Sequence, residues 1–172
     1  NVEKFHIPGC SEGLTTKRFE AAVADCEFIL RYFPNHPKVL LTVSEICLVW
    51  KNGRCNPDAY FEAAVAVNPR VAATFATKGV YLLRANRVVD AIAALKQSAA
   101  LDPNSINAHY NLGLAYLEAK QYDLANRHAQ RAYQLGAPVP GLRDRLKKAG
   151  YWKPEDVLPS EPPAAGGPDA PK

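Results

Sequence analysis

The residues with chemical potential are few. Four cysteines (Cys10, Cys26, Cys47, Cys55) all fall in the first third of the chain. None forms a C-x-x-C pair, so the spacing of neither a zinc ribbon nor a dithiol redox centre is present. Two states remain open for them: disulfides, or buried thiols packing as small apolar groups. The four histidines (His6, His36, His109, His128) lie at no metal-ligand spacing with one another or with a cysteine. His109 is expected to be a packing histidine, and His128 to lie on a helix flank, solvated or packed. Glu155 and Asp156 are adjacent carboxylates, but they sit among prolines that fix no geometry for acid–base work. Phosphate-binding glycine loops, the nucleophile elbow and H-E-x-x-H are all missing from the sequence. The expectation is a protein with no catalytic residues, no cofactor and no metal.

Composition narrows the classes further. The 172 residues are 48% hydrophobic and 22% charged, enough apolar material for one buried core. A net charge of +4, alternating in sign along the chain, provides no basic stripe for nucleic acid. No run of eighteen apolar residues occurs, so no transmembrane segment is expected. The chain opens on Asn1 and contains no methionine, as a processed mature protein or a trimmed chain would. From Pro154 it reads PEDVLPSEPPAAGGPDAPK, which cannot hold a helix or a ladder. Residues 151–172 are therefore expected to form an extended tail, either a solvated linker or a docking strap.

The elements follow from an internal period. Pro69 and Pro103, Gly79 and Gly113, and Ala91 and Ala125 each stand 34 residues apart. In the last unit, apolar residues recur every three to four positions over 106–119 and again over 122–135, predicting two amphipathic helices. Gly113 and Ala125 are small, which lets such helices approach closely. Asp102-Pro103-Asn104 provides a boundary: proline lacks the donor, and the flanking residues cap.

The segment NAHYNLGLAYLEAKQYDLANRHAQRAYQLGAP resembles the tetratricopeptide repeat, with Leu112, Gly113, Tyr116, Ala125, Ala129 and Ala132 at signature positions. The unit before it matches through Gly79, Leu82, Ala91, Leu95, Ser98 and Pro103. A weaker unit keeps Leu41, Leu48, Phe61, Ala64 and Pro69, but has Glu45 for the glycine and Pro57 for the alanine, so its helices should pack less tightly. The resemblance implies an all-α, right-handed superhelical stack of antiparallel helix pairs. The expected divisions are an irregular segment 1–14, then a repeat domain 15–150. That domain holds a half-repeat 15–34, repeats 38–69, 72–103 and 106–138, and a capping helix 140–149. Leu142, Leu146 and Ala149 would seal the last apolar face.

Shifting the Gly79/Ala91 apposition back by one period places Cys47 level with Cys55, so a disulfide could brace the degenerate pair. Cys10 and Cys26 are a weaker pairing by the same register. Disulfides would imply a periplasmic or other extracytoplasmic setting; buried thiols would fit a cytoplasmic one.

The resemblance also implies that the first helix of each unit lines a concave groove. Its positions here are Val39, Thr42, Ile46 and Val49; Ala73, Ala76, Val80 and Leu83; and Asn107, Tyr110, Leu114 and Leu117. Charged clamps that capture acidic C-termini need cationic residues, which Val39, Thr42, Val43 and Ile46 cannot provide. An apolar strip instead fits an amphipathic or apolar helical segment of a partner protein, as in a scaffold or accessory subunit of a larger, possibly membrane-associated, assembly. The alternatives are self-association, with the groove filled by the tail (Val157, Leu158) or by a second copy in a homo-oligomer, and a strip that is simply core.

Overall fold

The computed structural model describes residues 2–154. Among these, nine helices run in the order α1 (Val2–Thr16), α2 (Phe19–Tyr32), α3 (Pro37–Trp50), α4 (Pro57–Val67), α5 (Ala72–Arg84), α6 (Val88–Leu101), α7 (Ile106–Glu118), α8 (Tyr122–Gln134) and α9 (Gly141–Lys148). The fold is an all-α stack of helix pairs. Each odd-numbered helix touches the next odd-numbered one, whereas the even-numbered second helices scarcely meet each other. The layer of first helices is therefore the tighter, inner one, and the second helices fan outward with clefts between them.

Local signals explain the punctuation. Each first helix turns into its second through a non-glycine residue in the left-handed region: Lys17 (φ 56°), Lys51 (53°), Asn86 (59°) and Lys120 (58°). After α5 and α7 the turn closes with a long-range backbone bond, Arg87 N–H to Leu82 O and Gln121 N–H to Tyr116 O, both 2.8 Å, as in a Schellman-type helix end. The links to the next unit use side chains that mimic a turn: Asn68 Oδ1 accepts from Arg70 N–H and Asp102 Oδ1 from Asn104 N–H, each at 3.1 Å. Ser105 then caps α7 by accepting from Ala108 N–H.

Close approach inside a pair depends on small residues. A Cβ on Gly113 would lie 2.5 Å from Leu142 and 3.3–3.4 Å from the backbone of Ala125 and Ala129, and one on Gly79 would collide with Leu95. Ala125 and Ala129 are fully buried opposite Gly113, and Ala91 of α6 and Ala132 of α8 are fully buried as well. Around the crossings, Leu95, Leu112, Leu142 and Leu146 form one apolar cluster, and Leu40, Phe61 and Leu82 another.

Two divisions differ from the sequence reading. Residues 1–14 were expected to be irregular and 15–34 a half-repeat; instead Val2–Thr16 is a helix paired with α2. Pro8 sits inside α1 at the cost of one backbone bond. Gly9 and Gly13 are not breakers: each faces α2 at a point where a side chain would meet Asp25 or Ala22 and Ile46. The signal was present, because Lys17 precedes Lys51 by one 34-residue period. At the other end, the tail expected from residue 151 starts with a strap bound to α8. Asn126 Nδ2 and Gln130 Nε2 donate to Lys153 O, Lys153 N–H donates to Asn126 Oδ1, Tyr151 stacks on Tyr122 at 4.0 Å, and Trp152 sets its edge on Tyr133. Val157 and Leu158 lie outside the described residues.

The degenerate unit is splayed. Pro57 becomes the first residue of α4, so the second helix starts a turn late and touches α3 sparsely. Glu45, in the glycine position, reaches across to an ion pair with Arg84 of α5. Two disulfides tie this half together: Cys10–Cys26 joins α1 to α2 with Cα atoms 5.0 Å apart, and Cys47–Cys55 joins α3 to the loop before α4 at 5.4 Å. Cys55 is thus on the loop and not on the second helix, because Pro57 delays that helix.

Two measurements check these contacts. Gly113→Val crowds Leu142 and the facing backbone of Ala125 and Ala129, and should cost about 1–3 kcal/mol in denaturant unfolding; an unchanged midpoint would contradict the crossing geometry. Intact mass should rise by about four mass units on full reduction, about two per bridge.

Candidate functional site

Two surfaces emerge, one on each side of the stack. On the inner layer, the positions derived from the repeat divide into three groups. Ala76, Val80 and Leu83 of α5, with Tyr110 and Leu114 of α7, are half-buried and form an apolar row. Val49 (59% exposed) and Ala73 are open to solvent. Ile46 (0% exposed) and Leu117 (8%) are core, as is Val39. Their assignment to an open groove is corrected: Gly13 lets α1 press onto Ile46, and Leu117 packs in the cluster with Leu142 and Leu146 of α9. Tyr110 is also partly committed, its hydroxyl accepting from Leu142 N–H at 3.3 Å. Leu83 packs against both neighbouring apolar clusters, so it is a structural as well as a surface residue. The half-exposed part of the row is therefore short, centred on Ala76, Val80 and Leu114.

The outer side contains a cavity of about 350 Å³ between α6 and α8, floored by α7. His109 and His128 meet there, with Nδ1 atoms 3.0 Å apart. His109 Nε2 lies 3.0 Å from Pro103 O, which can only accept. A neutral His109 thus carries its proton on Nε2, its Nδ1 accepts from Nδ1–H of His128, and Nε2 of His128 holds a lone pair. Tyr116 stacks on His128 at 5.4 Å. Burial, then the neighbouring His109, then Lys96, push His128 down to about 4 from the usual 6.5. No group of three metal-ligating side chains occurs among the described residues, so two imidazoles stand without further metal ligands.

The sequence reading placed His109 as a packing residue and His128 on a flank, and did not join them. The register could have done so. His109 lies four residues before Gly113 and His128 three after Ala125, so the apposition of Gly113 and Ala125 also brings the two rings level.

With this geometry in view, the comparisons with known proteins are consistent. A tetratricopeptide (TPR) repeat model matches residues 83–119. The E3 ubiquitin-protein ligase CHIP of Arabidopsis thaliana is 33% identical over 103 residues, covering 56% of this chain and 37% of that protein. The protein O-mannosyl-transferase TMTC3 of Mus musculus is 25% identical over 95 residues, covering 55% of this chain and 10% of that protein. The chain thus spans well under half of either relative. Among solved structures, pilF of Pseudomonas aeruginosa superposes with a TM-score of 0.64 at 19% identity, covering 87% of this chain and 69% of that one. MamA superposes at 0.61 with 17% identity, covering 88% and 84%. Residues 83–119 thus match a tetratricopeptide repeat, and the described helices adopt the fold of these solved structures; such a repeat fold supports a protein–protein interaction scaffold in general.

The buried histidine has a pH consequence. Its folded value lies below its unfolded one, so the unfolded chain takes up a proton first as pH falls. The stabilisation is complete above about 6.5 and is lost progressively towards 4, up to roughly 3 kcal/mol for this one group. Side-chain NMR of His128 should show a midpoint near 4; a midpoint above about 6 would contradict its burial.

Proposed function

We propose that this protein is a non-catalytic scaffold or accessory subunit that holds an amphipathic helical segment of a partner protein against the inner layer of first helices. The observation that carries the proposal is the half-buried apolar row Ala76, Val80 and Leu114, which lies on the side where successive first helices touch and which bears no charge of its own. An amphipathic helix presents apolar residues every three to four positions and matches such a row without needing buried polar partners. Carboxylate capture is not supported: the row offers no cation, and Arg84 at the end of α5 is already paired with Glu45.

The setting is proposed from the cysteines. All four are paired, with none free. Two bridges in one small domain fit an oxidising compartment, such as a bacterial periplasm, better than a reducing cytosol. The bridges stabilise the N-terminal pair and the splayed unit, leaving the two regular units to present the row. The ligase and transferase names of the two curated relatives belong to proteins much longer than the matched repeats, and no catalytic constellation from which to argue such chemistry is assembled among the described residues.

The test is a pair of substitutions on the row, Ala76→Glu with Val80→Glu, in the full chain. Partner recovery by co-purification from the native host should fall at least about tenfold while helical content and melting are retained. Retained recovery with a folded double variant would overturn the inner-layer reading. Leu83→Asp is the poorer probe, because its packing against two clusters makes unfolding the expected result.

A further inference from the structure

We propose that the outer cleft between α6 and α8 is a second binding site, which takes an extended acidic segment of a partner protein with an aromatic side chain as its anchor. This site is independent of the inner row, lies on the opposite layer and is assigned by none of the comparisons.

Three observations converge on it. The first is space: about 350 Å³ lies between two second helices that do not close on each other, over an apolar floor of Leu112 and Tyr116. That is within the range of pockets that bury a small ligand or a large side chain. The second is charge. Lys96 enters from α6 and Arg131 from α8, and no lining residue is acidic. Arg131 is held in place by donating to Asn104 Oδ1 at 2.8 Å, so its guanidinium is oriented before any ligand arrives. Two cations without a carboxylate between them favour an anion.

The third observation comes from the repeat itself. One period downstream, the corresponding wall of α8 is already occupied by an extended segment of this chain. Gln130 clasps the backbone of Lys153, and Tyr133 receives the ring of Trp152. The residues 34 positions earlier are Lys96 and Ala99, and both line the cleft. Replacing the amide of Gln130 by the ammonium of Lys96 changes the preference from a neutral backbone to a carboxylate. Replacing the ring of Tyr133 by the methyl of Ala99 vacates the volume of one aromatic group. The cleft is thus a roomier, cationic version of a place where the same fold binds an extended aromatic segment. His128 lines it too, with a lone pair on Nε2 in the tautomer set by His109, and can accept from a donor such as an indole N–H.

The experiment uses the full chain and three capped tripeptide probes: glutamate-tryptophan-glutamate, lysine-tryptophan-lysine and glutamate-alanine-glutamate. Backbone amide shifts are followed by NMR as each is added. The acidic tryptophan probe should saturate with Kd of about 1 mM, shifting amides of α6, α7 and α8 around the cleft. The other two should bind at least about fivefold more weakly. Lys96 is exposed, so K96E keeps the fold and should weaken the acidic probe by a similar factor. A99Y, which restores the downstream ring, should abolish binding. The inner-row double variant should leave it unchanged, so failure of either site is read separately. The proposal is overturned by no saturation up to about 5 mM, by shifts confined to the inner layer, by equal binding of the lysine probe, or by undiminished binding to K96E or A99Y.

Discussion

Everything in this molecule depends on how closely two antiparallel helices can approach within a pair. Where Gly113 faces Ala125 and Ala129, even a methyl group would lie 2.5 Å from Leu142 and 3.3–3.4 Å from the facing backbone, so its neighbours would have to shift. That contact sets the crossing, and the crossing sets which side chains face the next pair. Leu112, Leu95, Leu142 and Leu146 can then interlock as one cluster. Gly79 with Leu95 and Gly13 with Ala22 repeat the device at other levels of the stack. Close packing of this kind tolerates little change in volume, so the small residues constrain the fold more than the large ones.

The degenerate unit shows what happens without that contact. Glu45 cannot lie under a neighbouring helix, so it turns to Arg84, and Pro57 delays the second helix. The Cys47–Cys55 bridge ties the splayed unit internally, and the ion pair of Arg87 with Asp58 of α4 holds it to the next unit. Covalent and electrostatic ties thus stand in for packing. An exposed ion pair contributes little in water, whereas a disulfide restricts the unfolded chain and contributes more, by roughly 2–4 kcal/mol in typical cases.

The stack also has two unlike faces for a geometric reason. First helices touch along the inner layer, leaving a shallow apolar row. Second helices scarcely touch, and between α6 and α8 this leaves a cleft on the outside lined by a buried histidine pair and two cations. At the C-terminal end α9 and the strap cover the last cluster: Leu142 and Leu146 insert from one side, while Tyr151 stacks and Trp152 packs edge-on against α8 from the other. The last repeat is closed by the chain's own residues, while the penultimate outer cleft stays open.

The sequence by itself determined the class of fold, because the 34-residue period, the small residues at its crossings and the proline boundaries are local features. It also indicated which cysteines stand level, since hairpin register follows from the same period. Tertiary structure alone decided the rest. Whether a glycine breaks a helix or packs it depends on what lies opposite, which is why a segment holding Pro8, Gly9 and Gly13 reads as irregular in sequence and yet belongs to α1. Whether an inner-layer residue is floor or core depends on its neighbours: α1 buries Ile46 and α9 buries Leu117, and neither effect is local. The outer cleft was the least legible feature. It needs α6, α7 and α8 at once, and its chemistry comes from side chains far apart in sequence that become neighbours only when the pairs stack.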